Sequence, residues 1–112
     1  MPAESPDLLD RLIEAASEDL HAATRGAALC RLTASGSPGA TAKRDEGAWA
    51  ALNALARSLA DGGRDPRETA QQLRDTWHAD LLRWSADPRS SWVPYCEGGV
   101  ARLDEYISAL SG

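Results

Sequence analysis

Few side chains in this sequence are of types that do chemistry, and fewer still are spaced to do it together. Cys96 and His78 are the two to weigh first. A thiol becomes a nucleophile as its thiolate, and the free N–H groups at a helix N-terminus favour that form. Cys96 falls where a fourth helix is expected to begin, with the opposing charge of Glu97 beside it. His78 follows Arg74 by one helical turn and lies about 80° from the centre of the Trp77 stripe, at the boundary of core and solvent. In an antiparallel pair Cys96 is expected level with Ser85, which leaves His78 about 10 Å away along the axis. A Cys–His dyad needs hydrogen-bond contact, so no catalytic pair is expected. Cys30 falls on an apolar stripe and reads as a small core residue.

The aromatics are the stronger signal. Trp77, Trp84, Trp92 and Tyr95 lie close together in the chain. Trp77 and Trp84 fall on the expected buried stripe of a third helix. Trp92 and Tyr95 fall in a segment flanked by Pro88 and Pro94, read as a loop. Such a loop either folds back as a lid or presents its rings to a partner. Arg89, Trp92 and Tyr95 supply the three residue types enriched at interface hot spots. The candidate binding residues are therefore Trp84, Arg89, Trp92, Tyr95, His78 and Cys96.

Other chemistry finds no support in the residue pattern. There is no H-E-x-x-H, C-x-x-C, G-x-S-x-G or P-loop sequence. His21 and His78 stand on different helices without an adjacent Glu-x-x-His, so no metal site is expected. Asp61–Asp65 lacks the alternating acids of a calcium loop and reads as a turn. No cofactor is expected.

The elements that must position these residues are helical. Ala occurs 21 times and Leu 14, while Ile and Val occur twice each and Phe is absent. Ala and Leu favour helix, and the residues that pleated sheets prefer are scarce. The first helix is capped by Ser5-Pro6-Asp7 and carries Leu9, Leu12, Ile13, Ala16 and Leu20 on one face to about Leu32. Thr33 to Thr41 reads as a flexible linker. A second helix from about Arg44 carries Trp49, Leu52, Leu55, Ala56 and Leu59 and stops at Gly62-Gly63. Asp65-Pro66-Arg67-Glu68 signals the third, with Leu73, Trp77, Leu81 and Trp84 at helical steps. The fourth is expected from Glu97 or Gly98 to Leu110, with Val100, Leu103, Ile107 and Leu110 as its stripe.

These elements predict one all-α domain: a four-helix bundle with antiparallel neighbours crossing near 20° and a long flexible first connection. The chain has 112 residues, which suits one domain. Its net charge of −5 lacks the basic face that nucleic acids or anionic membranes attract. Neither partner is expected. The absence of a signal-like N-terminus predicts a cytoplasmic protein with reduced thiols, and the preference for Arg over Lys suggests a bacterial, GC-rich source. Leu8, Leu29, Leu32 and Leu82 lie off the main stripes, which predicts a second contact surface for another protein or a second copy. The expected function is a small non-catalytic interaction module. The alternative is a small-molecule-binding bundle, or a minimal helical enzyme with a Trp/His/Cys-lined pocket.

Overall fold

The computed structural model describes residues 4–30, 37–60, 62, 64–87, 90 and 92–111, with side chains described for 8–22, 42–60, 62, 64–87, 90 and 92–110. Four helices account for nearly all of them: α1 (Glu4–Cys30), α2 (Ser37–Ala60), α3 (Pro66–Trp84) and α4 (Trp92–Ser111). No strand occurs among the described residues. The fold is an all-α bundle.

α1 begins at Glu4, so Ser5, expected as its cap, is already inside the helix. Two further helix starts differ from expectation. α2 begins at Ser37, so Ser37 to Thr41 of the expected linker is helical. Pro38 is then in a first turn, where its missing N–H costs no hydrogen bond. Residues 31–36 lie outside the described residues. α4 begins at Trp92, so the Trp92–Tyr95 segment is not a loop but a helical turn. Pro94 is its third residue, again among the positions whose N–H has no intrahelical acceptor. Ser90 caps the start: its Oγ accepts from the Trp92 N–H (3.2 Å) and its carbonyl accepts from the Val93 N–H (3.3 Å).

α3 starts as expected. Asp65 Oδ2 accepts from the Glu68 N–H at 2.9 Å, and Pro66 follows in the first turn. Gly62 adopts φ of 78° in the turn before it, a left-handed conformation that favours glycine.

The core joins Leu9, Leu12 and Ala16 of α1, Leu52 and Leu55 of α2, Ala70 of α3, and Leu103 and Tyr106 of α4. Tyr106, absent from the expected stripe, is the largest fully buried side chain. The most extensive helix pair is α2 with α4, which are not neighbours in sequence. α1 packs on α2, α3 packs on α4, and α2 barely meets α3. The helices thus lie in the contact order α1, α2, α4, α3.

Glycine makes the α2–α4 approach possible. A Cβ on Gly47 would fall 1.8 Å from the Tyr95 carbonyl oxygen, and one on Gly98 would fall 1.9 Å from that of Arg44. The two backbones are in direct contact there. Arg44 also pairs with Glu97 across the same junction (3.2 Å), and Arg102 of α4 reaches Asp19 of α1 (2.8 Å).

Candidate functional site

α3 and α4 enclose an open cleft of about 310 Å³. Trp77, Asp80, Arg83 and Trp84 line it from α3; Trp92, Tyr95 and Cys96 line it from α4. The spacing explains the grouping. Residues 77, 80 and 84 are three and four apart, as are 92, 95 and 96, so each set shares one helix face.

The rings form a continuous array. Trp77 stacks on Tyr95 with centroids 5.2 Å apart and planes 22° apart. Tyr95 meets Trp92 edge to face at 5.2 Å and 89°. Trp92 stacks on Trp84 at 6.2 Å and 30°. The inner end of the array is half-buried. Its outer end is open, with Trp84 at 37% and Trp92 at 48% exposure. Trp84 was expected on a buried stripe. It is the last residue of α3, and the ring opposite it is the equally open Trp92.

Cys96 is 4% exposed. Burial pushes its thiol above the ordinary range, and the nearby Asp80 carboxylate adds to the effect. The expected benefit of a helix N-terminus is outweighed, since the thiol is inside the packing between α3 and α4. With α4 starting at Trp92, Cys96 faces the level of Asp80 and not that of Ser85. His78 is only two residues from Asp80, but it is half-buried on another face and does not line the cleft. No histidine is among the lining residues, so no imidazole base adjoins the thiol there. Burial also raises the Tyr95 phenol, with Glu46 next in effect. Among the described residues the charged groups lining the cleft are Asp80 and Arg83, whose closest approach is 4.0 Å.

Of the expected binding residues, Trp84, Trp92, Tyr95 and Cys96 therefore meet in one cleft with Trp77, while His78 stands apart. Arg89 lies outside the described residues, as does the side chain of Cys30. Among the off-stripe leucines, Leu8 packs against the core and Leu82 is 63% exposed, outside the cleft lining. Leu32 and the side chain of Leu29 lie outside the described residues. Trp49, expected on the α2 stripe, is exposed.

Three contributors were not legible in advance. Asp80 and Arg83 were not singled out from the sequence, although Asp80 is three residues from Trp77 and four from Trp84, and Arg83 is three from Asp80, which places them on the cleft side of α3. Gly99 fell within the expected fourth helix without a role of its own. Instead it gives the Trp77 indole its seat, since a Cβ there would meet the ring at 2.2 Å. Among the described residues no group of three or more His, Cys, Asp or Glu side chains is placed to hold a metal ion. No described helix is long and apolar enough to cross a membrane. No protein-family model, curated protein or solved structure matches the chain.

Proposed function

We propose that the chain is a small non-catalytic interaction module, and that a partner protein docks on the aromatic cleft between α3 and α4. One observation carries this reading: Trp84 and Trp92 stack on each other yet remain open to water. A single exposed Trp is unremarkable. Four rings in serial contact, open at one end, form the kind of apolar patch that partners cover. Trp and Tyr are also the residues most enriched where truncation costs binding.

The state of Cys96 supports the non-catalytic part. A nucleophilic thiol is activated by a lowered pKa or a neighbouring base, and this one has burial and a carboxylate instead. An accessory, regulatory or inhibitory role in the cytoplasm accords with that reading, and a second copy of the chain is one possible partner. The size of the cleft favours a second reading. At about 310 Å³ it falls at the small end of the range for small-molecule sites.

Comparing the wild type with Trp92→Ala tests the first reading. Co-purification from the source cells, with sedimentation of the isolated chain, should find a partner or a dimer that the variant loses. Affinity should fall by about 30-fold, equivalent to roughly 2 kcal/mol. The variant's melting transition should shift little. A drop of about 3 kcal/mol, typical of truncating a buried Trp, would make the ring a structural lid and remove the docking site.

A further inference from the structure

We infer that the group received by the cleft is a cationic side chain, arginine or lysine, carried by a partner polypeptide. The inference rests on the docking role proposed above and specifies its chemistry.

The arrangement of rings and charge supports it. Aromatic faces carry negative quadrupole density, most strongly in Trp, and attract a cation placed over them. Trp92 and Tyr95 meet at right angles and both line the cleft, beside Trp84, which is 37% exposed. A long side chain can lay its methylenes on one ring and its charged end near another, as lysine and arginine stems do on apolar surfaces.

Asp80 supplies the complementary charge. Its carboxylate lines the same cleft and its side chain is 46% exposed. Its partner Arg83 sits at 4.0 Å with 73% exposure, the loosest of the chain's described ion pairs. An exposed pair at that distance holds little energy, so an incoming cation can take Arg83's place. By contrast, Glu97 on α4 is engaged with Arg44 on the α2 side, and Asp104 with Arg74 at 2.9 Å. The net charge of −5 favours encounter with a basic partner.

An uncharged apolar side chain would use the rings alone and leave Asp80 without a role. A free small ammonium ion would use both but gain nothing from the length of the cleft.

The test uses the full chain with 15N-labelled indoles and three capped tripeptides, Gly-Arg-Gly, Gly-Lys-Gly and Gly-norleucine-Gly, with tetramethylammonium as a fourth probe. Norleucine matches the lysine stem without its charge. The arginine and lysine peptides should move the Trp84 and Trp92 indole signals and bind about tenfold more tightly than the norleucine peptide. Asp80→Asn should bring the three to within about twofold, while Arg83→Gln should strengthen the two cationic peptides. Arg83 is exposed and Asp80 half-exposed, and unchanged melting curves establish that the variants are folded.

Norleucine binding as tightly as lysine would overturn the inference and leave the cleft a plain apolar docking site, as proposed above. Tetramethylammonium binding as tightly as the lysine peptide would replace the polypeptide with a free cation. Indole signals unmoved by every probe at millimolar concentration would overturn both this inference and the docking role of the cleft.

Discussion

The Trp77 indole lies against the bare α-carbon of Gly99, so close that a Cβ there would fall 2.2 Å from the ring. A glycine inside a helix costs up to about 1 kcal/mol relative to alanine. Here it lets the Trp77 indole of α3 sink against α4 and stack on Tyr95. Gly99→Ala should therefore destabilise the fold by about 1–3 kcal/mol, despite the better helix propensity of alanine. It should also displace Trp77 from Tyr95, which near-ultraviolet circular dichroism would register. An unchanged melting curve would mean that the ring has somewhere else to go.

Gly47 and Gly98 should be still less tolerant. Their missing methyl groups would strike carbonyl oxygens of the facing backbone, which cannot rotate aside as a ring can. Gly62→Ala meets no atom within 4 Å and carries only the strain of its positive φ, about 1 kcal/mol. In urea titrations, Gly47→Ala and Gly98→Ala should be the most destabilising, then Gly99→Ala, then Gly62→Ala. A reversed order would show that helix propensity outweighs these contacts.

Tyr106 is fully buried, and its hydroxyl has no hydrogen-bond partner among the described residues. An unsatisfied buried hydroxyl is destabilising by about 1–3 kcal/mol. Tyr106→Phe keeps the ring and removes that burden, so it should leave stability unchanged or raise it by about 1 kcal/mol. Burial, with a further contribution from Asp65, also raises the phenol pKa. The folded state thus holds the proton more tightly than the unfolded one. Stability from this group is complete below the unfolded value near 10 and is lost as pH rises through the higher folded value. Melting curves between pH 7 and 11 should fall less steeply for Tyr106→Phe than for the wild type.

Cys96 should be a slow thiol. Burial and Asp80 both raise its pKa, and alkylation proceeds through the thiolate. At pH 8 the native protein should alkylate at Cys96 at least about tenfold more slowly than the urea-unfolded chain, with peptide mapping separating Cys96 from Cys30. The same sign rule applies: any stability linked to Cys96 declines as pH rises past the ordinary thiol range. Rapid native alkylation would reopen a nucleophilic role.

The helices were largely legible because the composition leaves little alternative to them, and the Asp65-Pro66 start was legible because its hydrogen bond is local. The start of α4 was not. Pro88 and Pro94 both read as breakers, yet Pro94 sits where a helix has no N–H to lose, and Ser90 supplies the cap. That misplacement also set Cys96 against Ser85 rather than Asp80. Helix pairing was hidden for a different reason. Short connections suggested that α2 and α3 would be antiparallel neighbours, but not that Gly47 and Gly98 let α2 pack most extensively on α4, a relation that only tertiary contact reveals. Four of the aromatic cleft's residues were named from type alone, but their sequential stacking depends on that unseen register.

The contact order of the helices divides the chain's resistance to opening. α3 packs mainly on α4 and adds Ala70 to the shared core, while α2 and α4 carry the buried Leu52, Leu55 and Leu103. α3 can part from α4 while the α1–α2 and α2–α4 contacts remain. Amide protons of α3 should then exchange with solvent through a sub-global opening of lower free energy than the one that releases α2 and α4. A partner seated between α3 and α4 grips both sides of that seam. Its binding would slow exchange throughout α3, including turns it never touches, so that affinity at the rings is read out as protection along the whole helix.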